Sequence, residues 1–108
     1  MLKFMVVIYK RPGMSSEEFR RHLREVPGPL AHRLPGLRRH AQNHARADPK
    51  RNSPGWNAVI EPYFDDGAAM EVAWASPEGA APDSDLPAAF ADLTRTTWSV
   101  VDEIMVLE

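Results

Sequence analysis

An α+β domain made of two strand–helix–strand units is what this sequence predicts, and three observations carry the prediction. The apolar patterns run strand, helix, strand and then strand, helix, strand along 108 residues. The helical stretches carry apolar residues three and four apart, whereas the strand stretches are β-branched or alternate. The length suits one domain with one modest core.

Leu2–Tyr9 is apolar and stops at Lys10-Arg11-Pro12-Gly13, which reads as a first strand and a turn. This start is short and lacks both a basic flank and a small-residue cleavage site, so it reads as a strand rather than a signal peptide. Ser15 and Glu18 make a capping-box pattern at the head of a first helix. Phe19, Leu23, Val26 and Leu30 give that helix a sheet-facing stripe. Pro27 and Pro29 end or kink it near Val26, because proline lacks the amide hydrogen and clashes with the preceding turn. A short turn resumes through Ala31–Leu34.

Pro35-Gly36 precedes a second strand, Leu37–Ala45. By alternation Leu37, Arg39, Ala41 and Asn43 share one face, and Arg38, His40, Gln42 and His44 share the other. Arg46–Gly55 is polar and turn-rich, a loop. Trp56–Phe64 reads as a third strand, with Val59, Glu61 and Tyr63 on one face and Ala58, Ile60 and Phe64 on the other. Pro62 removes a ladder donor there, which calls for a bulge or a locally broken pairing. Asp65 or Asp66 caps a second helix whose core stripe is Met70 and Trp74. Ser76-Pro77-Glu78 looks like another helix start, and Leu86–Leu93 fits a short helix. Thr96–Leu107 alternates as a fourth strand.

This order is the split βαβ arrangement, a ferredoxin-like βαββαβ fold with an antiparallel sheet. Helices cover one face of such a sheet. The other carries Val7, Tyr9, Val59, Tyr63, Val101 and Met105, too apolar to leave in water. A second copy of the sheet is the simplest cover, so the expected assembly is a homodimer, a dimeric α+β barrel with a cavity between its sheets.

Composition excludes several functions. A net charge of −2 gives no electrostatic footprint for nucleic acid. No stretch approaches the roughly 20 apolar residues that span a bilayer, and a cytoplasmic setting is the default. With no cysteine there is no disulfide, thiolate nucleophile or Cys-ligated metal. His40 and His44 lie roughly 13 Å apart along a strand and cannot share one ion within a chain. The sequence lacks a Gly-rich phosphate loop, a dinucleotide fingerprint and a nucleophile elbow, so no cofactor is expected.

Ser16-Glu17-Glu18-Phe19-Arg20-Arg21, Arg24-Glu25-Val26, Gly28-Pro29-Leu30-Ala31, Leu34-Pro35-Gly36-Leu37 and Gln42-Asn43-His44 together resemble the EthD family of dimeric α+β barrel proteins. Glu61, Tyr63-Phe64-Asp65-Asp66, Ala75-Ser76-Pro77-Glu78-Gly79 and Val100-Val101-Asp102-Glu103 fit the same pattern. The resemblance covers almost the whole chain and implies the fold and dimer reached above. It also implies isomerase, cyclase or monooxygenase-type chemistry without a cofactor, in a degradation pathway. Two positions depart from the pattern. Pro27 stands where the family carries a histidine before Gly-Pro, and His40 stands where a tyrosine is common.

The candidate chemistry follows. Histidine titrates near neutrality and suits proton transfer on a small organic molecule. His40 is the candidate acid/base, with Glu61 and Gln42 orienting it in a cavity between sheets. Glu61 is the second catalytic candidate, its carboxyl raised by burial. Tyr9, Gln42, His44, Trp56 and Tyr63 are the candidate substrate-binding residues for an apolar or aromatic ligand. His22 reads as packing, His32 as exposed, and Glu17, Arg20, Arg21 and Arg24 as a solvated helix face with i, i+4 pairs. Arg38 and Arg39 are candidates for a substrate carboxylate. The expected function is therefore a cofactor-independent barrel enzyme. The alternative is a non-catalytic ligand-binding or accessory dimer of a degradation or stress pathway.

Overall fold

The computed structural model describes residues 1–25, 33–52, 55–77 and 90–107. Among these the elements are β1 (Leu2–Ile8), α1 (Ser16–Glu25), β2 (Arg39–His44), β3 (Ala58–Phe64), α2 (Gly67–Ala75) and β4 (Thr97–Asp102). Every pairing is antiparallel and the strand order is β2-β3-β1-β4. This is the expected βαββαβ α+β fold. The proline kink at Pro27 and Pro29, the turn at Ala31, the stripe positions Val26 and Leu30, His32, and the helices expected from Glu78 and Leu86 lie outside the described residues.

Both helix starts are capped as their sequences require. The Glu18 amide donates to Ser15 Oγ at 3.1 Å. At α2 the Ala69 amide donates to Asp66 Oδ1 at 2.8 Å, satisfying one of the amides a helix leaves orphaned in its first turn. Asp66→Ala should therefore lower stability by about 1 kcal/mol in urea unfolding, while Asp66→Asn stays close to wild type.

The helices pack on one sheet face. Phe19 and Leu23 of α1 are buried with Val6, Ile8, Ala58, Phe90 and Ala91. Met70 and Ala73 of α2 are buried with Phe64, and Leu2, Phe4, Leu37 and Trp74 pack around them. Phe4 and Phe64 both meet the Trp74 ring nearly edge-on, at 5.3 and 5.6 Å between centroids. These contacts put Leu2, Phe4, Val6, Ile8, Ala58, Ile60 and Phe64 on the helix face. Alternation then puts Lys3, Met5, Val7, Val59, Glu61 and Tyr63 on the opposite, open face.

Two expectations change here. Pro62 sits in a central strand without a bulge. The β1–β3 pairs Leu2–Phe64 and Lys3–Tyr63 are followed by Val6–Ile60, so pairing lapses opposite Glu61 and Pro62 and resumes in the same register. Of the two alternatives, local breakage is the one adopted. The fourth strand stops at Asp102 instead of running to Leu107. Leu2 pairs with Asp102, so β1 offers almost no further partner, and only Met1 O reaches the Glu103 amide, at 3.2 Å. Met105 is therefore off the sheet, and Ile104–Leu107 are left exposed.

Candidate functional site

The β2–β3 register decides which candidate residues can meet. His40 pairs with Pro62, Gln42 with Ile60 and His44 with Ala58, while Arg39 pairs with Tyr63, Ala41 with Glu61 and Asn43 with Val59. Directly opposed residues project to the same side of a sheet. His40, Gln42 and His44 thus share the helix face. Glu61 and Tyr63 share the open face with Arg39 and Asn43. This corrects the expectation that Glu61 orients His40 in one cavity. Alternation places residues within a strand, but one residue of register between strands exchanges the faces.

On the helix face, Gln42 works as a fastener. Its Nε2 donates to Leu23 O at 3.0 Å, satisfying a carbonyl in the last turn of α1. Its Oε1 then lies 3.0 Å from His44 Nε2. Because that oxygen can only accept, His44 donates through Nε2 and keeps its lone pair on Nδ1. Burial, reinforced by Arg20 and Arg24, pushes the His44 imidazole below its ordinary value, so it is neutral near pH 7. His22 packs its ring 5.2 Å from Phe90, as a packing histidine should. His40, half-buried on the edge strand, borders a recess of about 270 Å³ with Leu37, Arg38 and Arg39.

On the open face stands a charged network that the sequence reading missed. The Lys3 ammonium bonds Glu61 and also reaches Glu103 Oε2 at 3.1 Å. The Tyr63 hydroxyl donates to the same Glu103 oxygen at 2.7 Å. Asn43 Nδ2 donates to Glu61 Oε1 at 2.6 Å. The Arg39 guanidinium lies 5.2 Å from the centre of the Tyr63 ring. Hydrogen bonding to Glu61 holds Lys3 well above its ordinary range. The bond to Glu103 raises Tyr63, and the same bond, helped by Lys3, lowers Glu103. Near neutral pH the group therefore holds a protonated amine, a protonated phenol and an ionised Glu103, a poor set for moving protons. The available signal was Lys3 itself, a lone charge inside the apolar run of β1.

The remaining candidates are dispersed. Tyr9 follows β1 and carries the Arg95 guanidinium 4.0 Å from its ring centre. Trp56 precedes β3 and is half-buried. Arg38 pairs with Asp65 at 2.8 Å on the surface. No i, i+4 ion pair forms on α1 among the described residues, contrary to expectation. Among the described residues no three acidic or histidine side chains are placed to hold a metal, and no helix is long and apolar enough to cross a membrane.

The EthD domain model matches residues 11–94. A solved structure of an ethyl tert-butyl ether D family protein from Bacillus halodurans is similar at 23% identity, with TM-score 0.76, covering 96% of this chain and 100% of that one. A ferredoxin-like DABB family protein from Mesorhizobium loti is similar at 16% identity, TM-score 0.69, covering 95% and 96%. A dimeric ferredoxin-like protein of unknown function from Bacteroides fragilis is similar at 14% identity, TM-score 0.65, covering 94% and 95%. At these identities the likeness is one of fold. No curated protein matches the sequence.

Proposed function

The chain belongs to the EthD family, and we propose that it is a homodimeric, cofactor-independent barrel that moves a proton on a small apolar or aromatic molecule, with His40 as acid/base. The reaction class is isomerisation, cyclisation or oxygenation of an activated carbanion. The observation that carries the reading is the pairing of His40 with Pro62, which turns the imidazole to the helix side of the sheet. α1 packs on this same side, and where the family carries a histidine before Gly-Pro the sequence has Pro27. His40 lines a recess with Leu37, Arg38 and Arg39.

In this reading Glu61 and Tyr63 leave the catalytic constellation. Their network ties the strands of one sheet together on its open face, and Gln42 joins α1 to β2. The binding pocket lies on the His40 side. The fold supports a dimer because relatives with the same fold are dimeric.

The test is deuterium wash-in from D2O at the acidic carbon of enol-lactones and 1,3-dicarbonyl compounds, followed by proton NMR. Wild type should exceed His40→Ala by roughly 100-fold or more, the usual contribution of a positioned acid/base. Equal rates in the two proteins would remove His40 from that role. Pro27 favours a second reading, a ligand-binding or accessory dimer without turnover. Wild-type rates no faster than buffer across the panel would select it.

A further inference from the structure

A groove of about 880 Å³ runs between the outer side of α1 and the end of β2, on residues that the proposed proton transfer does not use. We infer that it is a binding site for a phosphoryl-type oxyanion, held by Arg20, Arg24 and Arg46 above His44. His40 and His44 stand roughly 13 Å apart along β2, so this site is separate from the recess at His40.

Charge is the first argument. The chain as a whole is acidic by two charges, yet the groove gathers four arginines, Arg20, Arg21, Arg24 and Arg46, against two glutamates, Glu17 and Glu25. The ion pairs among the described residues are Lys3 with Glu61 and Glu103, Arg38 with Asp65, and Arg51 with Asp48. None involves the groove arginines, although Glu17–Arg21 and Arg21–Glu25 have the spacing for it. Among the described residues, then, no ion pair offsets the excess positive charge. Like charges held together on one wall repel, and an anion between them relieves that cost.

Geometry is the second. Arg20 Nη2 donates to Ala45 O at 2.7 Å, which anchors one guanidinium across the groove between α1 and the chain leaving β2. A guanidinium carries five donors, so four remain for a ligand. Planar guanidinium donors match the oxygens of phosphate and carboxylate, and phosphate brings the second charge that several arginines favour.

His44 is the third. Its Nδ1 is buried and has no hydrogen-bond partner among the described residues. Burial and the charges of Arg20 and Arg24 keep that nitrogen unprotonated. An anion on those arginines cancels their part of the effect, which moves the His44 imidazole back up toward the value that burial alone sets and favours a proton on Nδ1. Arg20 and Arg24 act on His44, and Gln42 bonds it on its own strand; the other charged groups lining the groove are Arg21, Glu17 and Glu25 from α1 and Arg46 from the loop. Binding and protonation are then linked, each strengthening the other.

The experiment titrates inorganic phosphate into the full chain at pH 7.5, at ionic strength held constant with sodium chloride, and follows the His44 Cε1–H signal by NMR. Wild type should show a saturable shift. The Arg24→Gln, Arg46→Gln double variant should weaken binding at least tenfold, and Arg51→Gln, outside the groove, should not. Phenyl phosphate binding more tightly than phosphate would support the site and identify an organic ester as its ligand. A pH titration in sulfate, whose charge is constant over the range, should move His44 upward relative to chloride. Overturning results are acetate binding as tightly as phosphate, a double variant that binds like wild type, or a His44 titration unmoved by sulfate.

Discussion

Phe64→Ala is expected to lower stability by about 3–5 kcal/mol, the usual cost of emptying a fully buried aromatic site. Phe64 has no solvent exposure and closes β3 against α2, where Met70 and Ala73 are also buried. Its ring meets Trp74 at 5.6 Å and 71°, an edge contact that adds to area burial. Trp74 cannot simply fall into the space, because its other side is held by Phe4 at 5.3 Å. The cavity therefore stays largely open and the cost sits in the upper part of the usual range. In a domain of this size the loss corresponds to a fall in Tm of roughly 12–25 °C. Val72→Ala on the same helix is the control, since Val72 is 64% exposed and alanine is the better helix former. Its Tm should stay level or rise slightly. A Phe64→Ala protein within 2 kcal/mol of wild type, from urea unfolding, would mean that α2 collapses onto β3 and that Trp74 is not held as described.

The elements of this fold were legible because each is encoded locally. Ser15 and the Asp65-Asp66 pair announce the two helix starts, and the apolar run of β1 and the alternation of β3 announce strands. The site was only half legible, for a physical reason. Which face His40 takes follows from the parity of β2 against β3, and that parity is set through the loop between His44 and Ala58. Nothing within either strand records it. Had Glu61 paired with His40 instead of Ala41, the expected catalytic pair would share a face. Lys3 illustrates a second limit. Its partners Glu61 and Glu103 stand 58 and 100 residues away, and only the strand order brings three elements to one point. The tail is a third case. Ile104–Leu107 has a strand composition, yet the β1–β4 register ends at the Leu2–Asp102 pair.

Lys3→Met carries the second large effect, and pH gives it a signature that packing loss would not have. Lys3 lies between Glu61 and Glu103 on the open face, with its side chain 14% exposed. Asn43 joins the group from β2, so the network crosses the whole sheet. Methionine keeps the length of the side chain and removes the charge, leaving two carboxylates side by side. Removing one partner of a largely buried pair leaves the other charges uncompensated, and about 2 kcal/mol is the expected loss near neutral pH. The sign of the pH dependence follows from the shifts. Lys3 and Tyr63 are raised, so their contributions are complete below the ordinary values of 10.5 and 10.0 and vanish as pH climbs through the raised values. Glu103 is lowered, so its contribution is complete above the ordinary value of 4.5 and vanishes as pH falls through the lowered one. Wild type should hold a plateau between these limits and lose stability beyond each. In Lys3→Met the Glu103 carboxylate loses its cation, so protonating it costs the variant less than it costs the wild type. The deficit should therefore be greatest at pH 7 and shrink below pH 4.5. Urea midpoints at fixed chain concentration, taken from acid to alkali, measure it. A deficit constant across that range would assign Lys3 a packing role and would leave the open-face network without the electrostatic function given to it.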